Sequence, residues 1–185
     1  MQKQHANKWN MLSGKDWAKC AVFNIKEQVF THPDGRQGSF YVSETKDWVQ
    51  VFALTCDKKI VLVKQYRFGI QGFSIEPAGG VIEEGECPIN AGIRELQEET
   101  GYVGKNPILI GKVSSNPAIM DNYSHFLLLS DCEKLCETNF DENEDVECIV
   151  LSLEELEAMI EKGEIHHSIS LAGLYFLKKY LDGQS

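Results

Sequence analysis

Residues 79–102 read GGVIEEGECPINAGIRELQEETGY and crowd Glu83, Glu84, Glu86, Glu95, Glu98 and Glu99 into one loop and helix start. At about 100° per residue, Glu95, Glu98 and Glu99 fall at i, i+3 and i+4, within one arc of a helix surface. Three carboxylates that close cannot all ionise without counter-charge. Arg94 supplies one, reaching Glu98 at i+4. Hard divalent cations such as Mg²⁺ or Mn²⁺, which prefer oxygen ligands, would supply the rest. Gly79, Gly80 and Gly85 let the preceding backbone turn tightly and bring a carbonyl to the same place. The geometry is then a loop folded over a helix, with carboxylates and backbone oxygens converging on one place. A charge run is more often a solvated helix face, and composition alone would favour that reading.

The elements that must hold this cradle follow from patterning. Pro88 suits a first helical turn, Ile89, Ile93, Leu96 and Thr100 recur at helical spacing, and Gly101 suits a C-cap, which predicts a helix over Pro88–Thr100. Ahead of it, AKCAVFNIKEQVF, SFYVS, WVQVFALT and KIVLVKQY read as strands separated by the turn-rich THPDGRQG and CDKK. Strands resume at PILIGKVSS, SHFLLLSDC and CIVLS, and two helices close the chain, LEELEAMIEKG and one from about Ile169 to Leu181. Strand-rich, helix-interrupted order argues for an α/β layered fold.

Spacing narrows the reading further. Gly80, Glu86, Arg94, Glu95, Leu96, Glu98, Glu99, Gly101 and Tyr102 fill every constrained position of G-x5-E-x7-R-E-U-x-E-E-x-G-U, where U is apolar or aromatic. In this the chain resembles the Nudix hydrolases. The resemblance implies an α/β/α sandwich around a mixed sheet. It also implies cleavage of a nucleoside diphosphate linked to another group, by a metal-activated water. On that resemblance Glu95 and Glu99 are the main metal ligands, Glu98 bridges or assists, and the Gly79 carbonyl completes the site with two or three Mg²⁺ or Mn²⁺ ions. Arg94 orients the glutamates, and Glu86 braces loop against helix.

KQYR at a strand end and IEPAGG entering the box resemble the ADP-ribose and nucleoside diphosphate sugar pyrophosphatases, where an arginine like Arg67 meets phosphate or nucleotide. A guanidinium suits bidentate phosphate binding. Pro117 in SSNPAIMDN lies near the proline that marks ADP-ribose-type members, although the loop around it departs from the commoner S-P-G form. Met120 and Asn122 are candidates to line the pocket for the second group. DENED, residues 141–145, matches an acidic loop that makes Glu142 the general base and Glu144 an added metal ligand. Such a base belongs on a segment able to close over substrate. The expected activity is hydrolysis of a nucleoside diphosphate sugar to a nucleoside monophosphate and a sugar phosphate. The rivals are a housecleaning nucleoside triphosphatase and a non-catalytic nucleotide-binding member of the fold.

Composition bounds the partners. The chain has 185 residues, 43% of them hydrophobic, and a formal net charge of −10, which disfavours nucleic-acid and acidic-membrane surfaces. Its polar N-terminus shows no signal-peptide pattern and no apolar run is long enough to span a bilayer, so a cytoplasmic location is expected. Six scattered cysteines, none in a C-x-x-C pair, read as reduced thiols. The adjacent His166 and His167 cannot share an ion from one helix and read as helix-start residues. Domain expectations are a strand extension over 1–46, serving dimerisation and nucleotide contacts in a homodimer, and a catalytic domain over 47–185.

Overall fold

The computed structural model describes residues 7–140 and 145–183. Among these the chain forms two compact units, one comprising the residues up to Lys46 with Ser114–Asn122, the other Asp47–Val113 with Tyr123 onward. The first is an antiparallel sheet of β1 (Asn10–Lys19), β2 (Asn24–Thr31) and β3 (Gln37–Glu44) in that order. Trp9 packs on His32 and edge-on to Phe40, which also meets Phe30. The 114–122 segment joins this unit by main-chain bonds, Ser43 N–H to the Ile119 carbonyl at 2.7 Å and Asp121 N–H to the Ser43 carbonyl at 3.3 Å. β1 lies in a stretch too polar to read as a strand, and the run AKCAVFNIKEQVF is broken after Lys19 by a turn closed by Cys20 N–H on the Phe23 carbonyl.

The second unit is a mixed sheet with helices on both faces. Its strands are β4 (Trp48–Thr55), β5 (Ile60–Arg67), β6 (Gly72–Glu76), β7 (Ala78–Val81), β8 (Tyr102–Ser114), β9 (Tyr123–Lys134) and β10 (Val146–Leu151). They run β10-β5-β4-β9-β8, with β6 on β5 and β7 on β4. β4 and β9 are parallel, while β4 with β5 and β5 with β10 are antiparallel. Strand alternation splits the core by face. Val49, Val51, Ala53, Val61, Val63, Leu127 and Leu129 pack against Ala91 and Leu96 of helix α1 (Pro88–Thr100). Phe52, Leu54, Ile60, Leu62, Phe126 and Leu128 pack against Leu156 of α2 (Leu153–Glu161) and Leu177 of α3 (Ser168–Asp182). This is the α/β/α sandwich expected from the sequence.

Helix α1 fixes the acidic residues in space. Pro88 opens it, and Gly101, at φ 72°, caps it in the left-handed region that suits glycine. Among the described residues no helix is long and apolar enough to cross a membrane. The six cysteines carry free thiols, and burial pushes that of Cys132 up to about 12, which makes it a poor nucleophile.

Candidate active site

Strand β7 and helix α1 bring the acidic cradle together around one guanidinium. Arg94 donates from Nε to Glu86 Oε1 at 3.2 Å and from Nη2 to Glu86 Oε2 and the Val81 carbonyl, both at 3.1 Å. Its Nη1 donates to Glu95 Oε1 at 2.8 Å and to Glu98 Oε2 at 3.0 Å. One planar donor therefore ties the loop and two helical carboxylates into one arrangement. Glu86 foremost, with Glu95 and Glu98, raises the Arg94 pKa further above its already high ordinary value against the opposing effect of burial. In return the Arg94 bonds hold the Glu86 carboxyl below the usual carboxylate range.

Glu99 is 4% exposed and accepts the Gly79 N–H on Oε2 at 2.9 Å. Gly80 carries the Glu95 carboxylate where a side chain would sit, since a Cβ there would lie 2.5 Å from Glu95 Oε1. Gly79, Glu95, Glu98, Glu99 and Arg94 are thus gathered at one place. The chain segment after β9 folds over the same helix end, with Asn139 N–H on the Glu98 carbonyl at 2.9 Å. Glu142 and Glu144 lie outside the described residues.

Residues 46–172 match the protein family described as NUDIX domain. The chain belongs to the Nudix family. It is 30% identical to an ADP-ribose pyrophosphatase of Bacillus subtilis (strain 168) over 166 residues, covering 83% of this chain and 90% of that one. It is 29% identical to a methanol dehydrogenase activator of Bacillus methanolicus, over 79% of this chain and 80% of the relative. In fold it is similar to a crystal structure of an ADP compounds hydrolase, with a TM-score of 0.87, 99% of each chain covered and 19% identity.

Does this Nudix cradle suit a hard cation? Among the described residues no three Asp, Glu, His or Cys side chains stand as a ready ion cluster, and Arg94 engages Glu86, Glu95 and Glu98. The donor set is nonetheless all oxygen, and Gly80 keeps open the space that the Glu95 carboxylate fills. The residues fit a divalent cation of the Mg²⁺ kind. Gly80→Ala is expected to push Glu95 aside at little cost in stability, since the clash falls on the end of a flexible side chain. Metal-dependent turnover should fall roughly 10- to 100-fold. Titrating Mg²⁺ against kcat, with thermal unfolding in parallel, checks this.

The other sequence-derived residues have partners of their own. Met120 and Asn122 belong to the first unit, where buried Asn122 donates from Nδ2 to the Lys46 carbonyl at 3.1 Å. Arg67, 44% exposed, is gripped by Glu76. Sequence reading passed over Glu76, and its signal was a carboxylate at the end of FSIE, a short strand run entering the glycines. His167 is the N-cap of α3, as the helix-start reading expects, and its ring nitrogen accepts from the Ser170 N–H.

Proposed function

We propose that this Nudix enzyme hydrolyses the pyrophosphate bond of nucleoside diphosphate sugars of the ADP-ribose or hexose type, releasing a nucleoside monophosphate and a sugar phosphate. The observation that carries the reading is the convergence of Glu95, Glu98 and Glu99 beside Gly79 and Gly80, with Glu95 and Glu98 held by Arg94. The pyrophosphatase and hydrolase names of the relatives support the same substrate class. Glu95, Glu99, Glu98 and the Gly79 carbonyl, with Glu144, would hold two or three Mg²⁺ or Mn²⁺ ions. Bound there, such ions neutralise the diphosphate and lower the pKa of a water molecule.

The chain's own residues set the rest. Arg94 holds Glu86, Glu95 and Glu98 in one arrangement before substrate arrives, so little reorganisation is left for the reacting state. Glu142 is the general base in this reading, assisted by Glu98; the Asn139 bond to the Glu98 carbonyl supports it by tying the start of the acidic loop to the helix end. Arg67 binds the diphosphate or nucleotide, and Met120 and Asn122 line the pocket of the second group. A cytoplasmic homodimer completes the reading. Exposed Met11, Leu12, Trp17, Phe40 and Tyr41 on the first unit support a partner-covered sheet there.

The test is a panel of ADP-ribose, ADP-glucose, GDP-mannose and UDP-glucose with Mg²⁺, both products being identified. Nucleoside monophosphate and sugar phosphate are expected. Release of orthophosphate or pyrophosphate from nucleoside triphosphates, with the sugars untouched, would replace this function by that of a triphosphatase.

A further inference from the structure

A buried polar network in the second unit stands behind Arg67. Glu76, 1% exposed at the end of β6, takes Arg67 with both oxygens, Nε on Oε1 at 2.8 Å and Nη2 on Oε2 at 2.7 Å. His167 Nδ1 stands 3.7 Å from the same Oε2. That nitrogen also accepts the Ser170 N–H at 3.4 Å and lies 2.8 Å from Ser170 Oγ and 3.5 Å from Gln50 Nε2. Gln50 Nε2 donates to Ser170 Oγ at 2.9 Å, which leaves the serine hydroxyl hydrogen for Nδ1. Apart from Glu76, every group facing Nδ1 is a donor. The ring therefore acts as a neutral acceptor with its proton on Nε2.

We infer that His167 is a positioning residue for Arg67: as a neutral acceptor it sets no second cation against Glu76, and Glu76 then holds the Arg67 guanidinium in the pose that meets substrate. The inference rests on the reading of Arg67 as a substrate-binding residue. Its physical content is a competition for one carboxylate. The charged groups facing the imidazole are Glu76 from β6, Arg67 from β5 and neighbouring His166; Gln50 of β4 and Ser170 of α3 are neutral. A proton on Nδ1 would point at the Ser170 N–H and the Gln50 amide, removing the acceptor that caps α3. It would also set a second cation against Glu76, loosening the fork on Arg67. Burial pushes the imidazole below its ordinary 6.5, with Arg67 and His166 acting the same way and Glu76 opposing. The neutral state is thus the one present through the neutral range. The substrate diphosphate has no group titrating there, so the change belongs to the protein.

The experiment measures kcat and KM for ADP-ribose at saturating Mg²⁺ between about pH 5 and 8, on the full chain, in wild type, His167→Asn and Arg67→Ala. An NMR titration of the His167 ring in wild type and Arg67→Ala accompanies it. Wild-type KM should rise several-fold as pH falls below 6.5, with a smaller change in kcat. His167→Asn, whose amide oxygen can still cap α3 but cannot titrate, should lose that acid rise. Arg67→Ala should raise KM at every pH and move the His167 titration upward, because Glu76 then faces the imidazole alone. An acid rise in KM that persists in His167→Asn, with Arg67→Ala impaired as expected, overturns the positioning role and leaves the substrate role of Arg67 standing. An unaltered KM in Arg67→Ala overturns the substrate role and the positioning role with it. A His167 titration indifferent to Arg67→Ala overturns the coupling without any activity assay, so the inference stays testable even if His167→Asn misfolds.

Discussion

Glu99→Gln will lower kcat about 10³-fold while leaving the protein folded. The carboxylate is buried against the Gly79 N–H, and a glutamine of the same shape can accept that hydrogen bond through its amide oxygen. What glutamine cannot do is bring negative charge and a second strong acceptor oxygen to a divalent cation. Metal stabilisation of a phosphoryl transition state is worth several kcal/mol. At about 1.4 kcal/mol per factor of ten, losing most of that gives roughly three orders of magnitude. Stability should change by about 1 kcal/mol, the cost of an imperfectly satisfied buried amide. A second measurement separates lost metal binding from a damaged fold. Cation at about 100 times Kd should stabilise wild type by about 2.7 kcal/mol in thermal unfolding, and the variant by far less. Wild-type turnover in Glu99→Gln would remove Glu99 from the proposed metal site.

How much of this could be read beforehand depended on whether the relevant physics was local. Helix α1 was legible to its ends, because Pro88 and Gly101 act through their own backbone restrictions and the apolar stripe has a helical period. The Arg94–Glu98 pair follows from i, i+4 geometry alone and is present. Strand β1 was not legible. Its residues are almost all exposed, so nothing imposes the period-two alternation that marks a half-buried strand. Strand β7 was hidden for the opposite reason. Ala78–Val81 is glycine-rich, which usually signals a turn, yet it pairs with β4 because close backbone approach there admits no side chain. The Glu76–His167 contact lies beyond local pattern altogether. It joins a strand end to a helix start far along the chain, and only the fold brings them within 3.7 Å.

The first of those glycines, Gly79, carries a far larger expected stability effect than its neighbour. Gly79→Ala should destabilise the protein by about 3 kcal/mol, at the upper end of the cost of overpacking. A Cβ on Gly79 would lie 2.1 Å from the Val49 carbonyl oxygen and 2.9 Å from Gln50 Cα, and both of these are backbone atoms of β4. No rotamer change relieves such a contact; β7 must move away from β4. That movement strains the pairing of Trp48 with Val81, Val49 with Gly80 and Val51 with Ala78, and it withdraws the Gly79 N–H from Glu99. Gly80→Ala, one residue along, differs in kind, since the atoms it meets end the flexible Glu95 side chain. Adjacent glycines thus divide the labour, Gly79 keeping the sheet closed and Gly80 keeping room for a carboxylate. For a domain of this size 3 kcal/mol corresponds to a fall in Tm of roughly 6–12 °C, readable by calorimetry or circular dichroism. Turnover per folded molecule should fall with it, because the displaced strand also carries the carbonyl proposed to complete the metal site. A Gly79→Ala protein that melts with wild type would mean that β7 and β4 do not approach as closely as the fold requires.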